Sequence, residues 1–232
     1  MPYRRTDNVV RKLAARHLAI LEAAKALAAE GGMAAVQIAA VAARANIAAG
    51  TVYRYFPAKI ALVAALVAAV SEQEVAALRQ AANAAPGPLS ALAAAVTTFA
   101  ARALAHRKLA FALIAEPVEP ELENVRLSYR RALVGEYEIR IHAALAGGNL
   151  SGQDVNLTAP AVIGALIEGL IGPLAPGEEN DAAIMRARIQ TLTLFTLRAL
   201  GVVDARARGL VVQTPLPEID ESSRCPRESG DP

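Results

Sequence analysis

The chain is poor in the residues from which most active sites are built. Among its 232 residues there is one cysteine, Cys225, no tryptophan, and only three histidines, His17, His106 and His142. A single thiol excludes an internal disulfide and any cysteine-rich metal site. Histidines this scattered have no metal-ligand spacing, so no metal is expected. No Gly-rich phosphate loop, nucleophile elbow or His–carboxylate motif occurs, which argues against an enzyme and against a resident cofactor. Long apolar runs are missing too, although mean hydropathy is +0.32. The run at 60–70 is ended by Ser71, Glu72 and Glu74, well short of the about 20 residues a spanning helix needs. Stretch 81–101 is interrupted by Asn83, Pro86, Gly87 and Pro88, and stretch 161–174 by Glu168, Gly169 and Pro173. Buried Ala-rich helices account for all three, and no membrane partner is expected. The first twelve residues are polar and basic, without the apolar core of about 7–15 residues that marks a secretory signal, so the expected location is the cytoplasm.

What is abundant is alanine, in a chain that is 54% hydrophobic and only 4% aromatic. Alanine has the highest helix propensity, and an all-α fold is the natural expectation. Net charge is only +2, but it is unevenly placed. Residues 1–59 hold nine Lys or Arg against three acids, a balance of +6, leaving −4 on the remaining 173. A basic head on an acidic body is the pattern expected where a polyphosphate is gripped.

Leu13, His17, Ile20, Ala24 and Leu27 recur at steps of three and four, the period of a helix with one buried face, and Gly31-Gly32 stops it. A short second helix is predicted over 36–45, with Asn46 as a left-handed stop. A third follows over 48–56, closed by Pro57. A fourth runs to about residue 82 and ends before Pro86-Gly87-Pro88. Further helices are predicted at 89–106, 107–115, 121–145, 159–174 and 181–200, the last with Asp181 as N-cap. Beyond Gly201 the pattern decays, and 202–232 is expected to be a disordered tail.

Two short helices joined by a tight turn and preceded by a longer one make a tri-helical helix-turn-helix, whose second short helix can enter the major groove. On the third helix Ala48, Val52 and Phe56 fall on one side and Gly50 and Arg54 on the other, flanked by Ala49, Thr51 and Tyr53. Small residues at 49 and 50 let the backbone approach a surface closely. Arg54 can donate to a guanine or a phosphate, and the hydroxyls of Thr51, Tyr53 and Tyr55 to phosphate oxygens. Tyr55 leans toward the Val52 side and can equally help fill the head's small core. Lys59 puts a cation at the positive end of the fourth helix, an arrangement that a phosphate would turn favourable. Gln37 and Arg44 lie at either end of the second helix, within reach of phosphate. The basic leader with Arg4, Arg5, Arg11 and Lys12 is either a minor-groove arm or a solvated segment.

The stretch from Val36 to Lys59, with its Gly50-Thr51-Val52-Tyr53-Arg54-Tyr55-Phe56-Pro57 core, closely resembles the DNA-binding signature of the TetR family. The resemblance covers residues 14–74, with the helix-turn-helix at about 37–56. Many family members carry a hydroxyl residue and then lysine where this chain has Ala48 and Ala49. The resemblance implies a TetR-like architecture: this DNA-binding domain, then a helical ligand-binding and dimerisation domain over 75–201. It implies a homodimeric, ligand-released repressor that binds double-stranded DNA at a palindromic operator and answers to a small-molecule effector. Phe99, Phe111, Tyr129, His142 and Glu168 are candidates for lining the effector pocket. Ala161, Ala165 and Gly169 form a small-residue stripe beside a larger one of Val162, Leu166 and Leu170. Together with Ile189, Leu192, Phe195 and Ala199 these resemble the family's four-helix dimer interface. Ordinary packing within one chain would produce the same stripes.

Overall fold

A computed structural model of the chain describes residues 7–177 and 181–217, and all regular structure among them is helical. Ten helices follow one another: α1 Asp7–Ala35, α2 Ile38–Arg44, α3 Ala49–Tyr55, α4 Lys59–Ala84, α5 Pro88–Ala105, α6 Arg107–Ile114, α7 Pro120–Ala146, α8 Val155–Leu170, α9 Ala182–Ala199 and α10 Asp204–Gln213. Helices α1–α3 form a head, and α5, packed against α4, α7, α8 and α9, is the centre of a larger body. Helix α4 touches both, running from the turn after α3 along α1 and then between α5 and α7.

The punctuation is local chemistry. Asn46 has φ 51, and Asn46 and Ile47 donate their N–H groups to the carbonyls of Ala43 and Ala42. That is a Schellman ending, in which a left-handed residue turns the chain back and satisfies the last carbonyls of α2. Pro88 and Pro120 open α5 and α7, where a missing N–H is harmless. Asp154 and Asp181 cap α8 and α9 by accepting N–H groups one turn in.

Three expectations change. Helix α1 begins at Asp7, so Arg11 and Lys12 are on a helix and not on an arm; Arg4 and Arg5 lie outside the described residues. The break at Gly31-Gly32 is real, with φ/ψ of −137/22 and 69/−169, but the chain resumes helical geometry to Ala35. Part of the expected tail is helix α10, packed on α9 and α5. Its Arg-rich composition masks a short stripe of Ala207, Leu210 and Val211, of which Ala207 and Leu210 are buried. Residues 218–232, with Cys225, lie outside the described residues.

Run length also understates α4 and α5, which are long and apolar enough to cross a membrane by length and composition. Their packing gives a different reason for that composition. Helix α5 buries twelve of its residues against the rest of the body. Helix α4 carries Glu74, bonded to Arg102 of α5 at 2.5 and 2.7 Å, and Arg79, bonded to Glu136 of α7 at 2.8 Å.

Candidate nucleic-acid interface

Helix α3 divides as its 100° period requires. Val52 and the following Phe56 are buried at 0% and 4% exposure, while Ala49, Gly50, Tyr53 and Arg54 are exposed and Thr51 and Tyr55 half-buried. Ala48, expected on the inner side, is exposed because it is the N-cap, in extended conformation and outside the helical phase. Nothing lies within 4 Å of where a Cβ on Gly50 would stand, so this glycine is not required by the protein's own packing. Ala48 makes no side-chain cap bond, and the first N–H groups of α3 are left to the backbone and to solvent.

Behind this face lies an aromatic cluster that periodicity places only in part. The ring of His17 is 5.1 Å from that of Phe56 and 6.3 Å from that of Tyr55, and the Arg54 guanidinium lies 5.9 Å from the Tyr55 ring centre. Tyr55 therefore belongs to the head's core by its ring, and it braces Arg54 by cation–π contact. In the sequence His17 is only one member of a helical stripe; its part in holding α3 depends on contacts between distant segments.

Two other candidates are engaged within the protein. Arg44 donates to both oxygens of Glu30 at 2.6 and 2.8 Å, a bidentate pair that fastens the end of α2 to α1. The pair is exposed, so it competes weakly with other anions. Gln37 donates to the carbonyl of Ala34, bracing the turn into α2. Lys59 is the first residue of α4, half-buried, in a first turn without acids and behind an N-cap, Ala58, that makes no side-chain bond. The cation and the helix end thus add their positive potentials at one place, a short turn beyond α3.

The five residues named for an effector pocket are not brought together. Phe99 and Tyr129 are buried inside the body at 6% and 4% exposure. Phe111 is half-buried and lines a shallow depression of about 240 Å³ with Arg107, Lys108, Ile171 and Gly172. His142 is exposed, because α7 turns Tyr137, Ile141 and Ala144 inward and leaves 142 on the outer side. Glu168 is exposed as well; its carboxylate accepts the N–H of Leu174 at 3.1 Å and closes the turn after α8. The interior holds polar groups that no sequence pattern marks. Ser71 Oγ on α4 and the Tyr137 hydroxyl on α7 are buried without a hydrogen-bond partner. Burial raises the Tyr137 and Tyr129 hydroxyls well above the ordinary tyrosine pKa; the Glu74 carboxylate adds to the rise at Tyr129 and Arg102 opposes it.

The stripes on α8 and α9 separate by face. Val162, Leu166 and Leu170 are buried within the chain, whereas Ala161 and Gly169 are exposed and Ala165 half-buried. Ile189 is buried against the body and cannot also face outward; Leu192 is half-buried, its side chain 3.5 Å from the Cβ position of Gly169. The outer face of the pair carries Leu157 at 70%, Phe195 at 54% and Ile184 at 42% exposure. Of these, Leu157 continues the Ala161, Ala165 and Gly169 stripe at steps of four but falls outside the helix expected over 159–174, because α8 begins a turn earlier, at Val155.

Residues 20–66 match the model of the bacterial regulatory proteins of the tetR family. The HTH-type transcriptional repressor KstR of Rhodococcus jostii is 53% identical over 53 residues, which are 23% of this chain and 25% of KstR. The chain thus aligns with about a quarter of that relative's length, and the relative is a repressor and not an enzyme. Similarity of fold extends much further. The structure of RolR in complex with resorcinol superposes with a TM-score of 0.63 at 24% identity, covering 90% of this chain and 99% of RolR. FadR from Bacillus subtilis in complex with stearoyl-CoA gives 0.65 at 20% identity, covering 75% of this chain and 96% of FadR. Residues 20–66 thus carry a DNA-binding domain of the tetR family type, a head of three helices with an open α3 face, and the all-helical body joined to it has the fold of these regulators along most of its length.

Proposed function

We propose that the chain is a DNA-binding transcriptional repressor that acts in the cytoplasm as a homodimer on a palindromic operator and is released by a small-molecule effector. One observation carries the reading: α3 buries Val52 while presenting Gly50, Tyr53 and Arg54 to solvent, with open space over the glycine. Inserted in a major groove, that face puts the backbone at Ala49-Gly50 against the base edges, Arg54 over a guanine or phosphate, and Thr51, Tyr53 and Tyr55 along the groove wall. Lys59 and the start of α4 then meet the adjoining phosphate. Gln37 and Arg44 stand at the edge of this footprint; Arg44 would have to exchange Glu30 for phosphate to contribute.

One head reads few base pairs, so two heads are needed for useful specificity. The outer face of α8 and α9, with Leu157, Ala161, Ala165, Gly169, Ile184 and Phe195, supports pairing with a second copy. Large apolar side chains beside small ones allow close helix approach between subunits. RolR and FadR were each solved with a small molecule bound, and their likeness in fold supports an effector site in the body here. Phe99, Tyr129 and the unpartnered hydroxyls of Ser71 and Tyr137 are the interior groups that would meet it. The effector lowers DNA affinity by binding better to a body whose heads no longer fit two half-sites.

The experiment is a fluorescence anisotropy titration of the full chain against duplex DNA taken from upstream of its own gene, at two salt concentrations, followed by footprinting. Tight binding that weakens steeply with salt and protects two half-sites about one helical turn apart, or a multiple of it, is the expected result. Affinity no better than for random duplex at both salt concentrations would falsify the reading.

A further inference from the structure

The head meets the body along α1, which packs against α6 and α4. A single backbone donor at this contact reaches a carboxylate of the body. The Met33 N–H donates to Glu116 Oε2 at 3.0 Å, across 83 residues of sequence. It sits at the Gly31-Gly32 break, where the helical N–H ladder is interrupted. Gly32 has φ 69, and a Cβ on it would stand 2.9 Å from Glu116 Oε2. The glycine therefore supplies both the left-handed backbone and the room for the carboxylate.

Glu116 is itself held from behind. Its N–H donates to the Phe111 carbonyl at 2.8 Å, continuing the end of α6. Its carbonyl accepts from Arg126 Nη1, whose Nη2 donates to the carbonyl of Ala112. Arg130 Nη2 donates to the carbonyl of Ile114 at 2.8 Å. Arg126 is 3% exposed. Two α7 guanidiniums thus satisfy carbonyls that a helix end would otherwise leave open, and they tie α6, the Glu116 turn and α7 into one unit. A shift of α7 relative to α6 must move the Glu116 carboxylate, and with it the amide at the kink of α1.

We infer that Glu116 is a positioning residue for DNA recognition: its carboxylate fixes the angle of the head by gripping the Met33 amide at the two-glycine kink, and Arg126 and Arg130 couple that grip to α7. The inference rests on the DNA-binding, dimeric reading above and adds the residue that sets the distance between the two heads. A protein with a fixed head angle discriminates sharply between operators whose half-sites are spaced differently. Without the grip the heads swivel and the discrimination fades, although each head keeps its own contacts.

The test uses the full chain and a duplex enriched by the wild type from a random-sequence pool, with half-site spacing then lengthened and shortened by one and two base pairs. Wild type, Glu116→Ala, Glu116→Gln and Gly32→Ala are titrated on each duplex, and hydrogen exchange at the Met33 amide is followed in each protein. Gly32→Ala crowds the carboxylate but also strains the left-handed backbone of the kink. Glu116→Asp, which withdraws the carboxylate by one methylene and leaves the kink untouched, is therefore titrated beside it; it is expected to behave as Glu116→Ala does, and reports independently should Glu116→Ala not fold. The expected result is that Glu116→Ala and Gly32→Ala reduce the affinity ratio between best and displaced spacings by about 2–30-fold, the range of coupling changes at such positions. Met33 exchanges faster in both, and Glu116→Gln, which keeps a carbonyl oxygen in place, recovers most of the ratio. An unchanged spacing profile in the folded variants overturns the inference even if their melting temperatures fall, and so does unchanged Met33 protection. If the wild type enriches no sequence at all, the DNA-binding reading fails first and the role of Glu116 with it.

Discussion

Head and body treat their polar side chains in opposite ways. On α3 the groups with most to offer another molecule, Tyr53 and Arg54, are exposed beside a glycine with open space above it. In the body a few charged groups are turned inward, and there they are matched. Glu136, 4% exposed, takes Arg79 of α4 at 2.8 Å and Arg140 at 3.1 Å, and Arg140 also donates to Asn83 at 2.9 Å. Arg102 is held above its ordinary pKa chiefly by its hydrogen bond to Glu74, against the lowering effect of burial. A surface meant for a polyanion gains by keeping its donors free, since each released counterion favours binding. A core that must hold charges gains only by pairing them.

The contrast predicts its largest effect in the body. Removing one member of a buried pair leaves the other charged and unmatched, at about 3–5 kcal/mol. Glu136→Ala is therefore expected to lower unfolding free energy by that amount in urea denaturation, stranding Arg140. Replacing both, as Glu136→Leu with Arg140→Met, is expected to recover most of the loss, because well-packed apolar side chains substitute for a buried pair at little cost. A single substitution costing under about 1 kcal/mol would show that water already reaches the pair, and the distinction between the two regions would go with it.

Next comes the outer face of α8 and α9, the part of the body that behaves like the head in leaving large groups uncovered. If a second copy covers it, Phe195→Glu puts a charge into a desolvated apolar contact and weakens dimerisation by about 2 kcal/mol or more. Sedimentation of wild type and variant over a range of concentrations reads this directly. A wild type that sediments as a monomer at every concentration removes the pairing surface from consideration.

How far each region is legible in the sequence follows from the same contrast. In the head, position and residue type are locally constrained: Asn46 announces a left-handed turn, Pro57 ends α3, and the Val52 and Gly50 sides follow from a 100° step. In the body the helices are visible through Pro88, Pro120, Asp181 and the glycines, but the role of each face is not. Periodicity finds two stripes on α8 without saying that Val162, Leu166 and Leu170 go inward and Ala161 and Gly169 outward. It likewise cannot say that Ile189 is spent on the chain's own core, or that His142 faces away from it. Pairs such as Arg79–Glu136, 57 residues apart, exist only once helices are stacked. Helix α10 escapes because arginines dilute an apolar pattern only ten residues long. KstR matches at high identity over only 53 residues, while likeness of fold to RolR covers 90% of this chain at 24% identity.

The head's prediction is smaller than the body's and has a different signature. Arg54 is exposed and its charge is unpaired by any carboxylate among the described residues, so Arg54→Ala is expected to leave thermal unfolding unchanged. It should nevertheless cost about 1–3 kcal/mol of DNA affinity if the guanidinium reads a base, with relaxed sequence preference at one position of each half-site. If it only meets phosphate, affinity falls uniformly across sequences and the salt dependence weakens by about one counterion for each head bound. A fall in melting temperature matching the fall in affinity would instead make Arg54 a brace for Tyr55, and the free-donor description of α3 would fail.

The smallest effect separates the two kinds of surface most cleanly, because stability and binding should move in opposite directions. Gly50 lies in the first turn of α3 with helical geometry, and no atom comes within 4 Å of the place a Cβ would take. Gly50→Ala therefore removes conformational freedom from the unfolded chain without creating a clash. It should stabilise the protein by about 0.5–1 kcal/mol, measured by chemical denaturation. In the DNA complex the added methyl group stands between the α3 backbone and the groove, so affinity should fall although the protein is more stable. Were affinity to rise along with stability, the glycine would have no part in close approach, and the α3 face would have to dock by its long side chains alone.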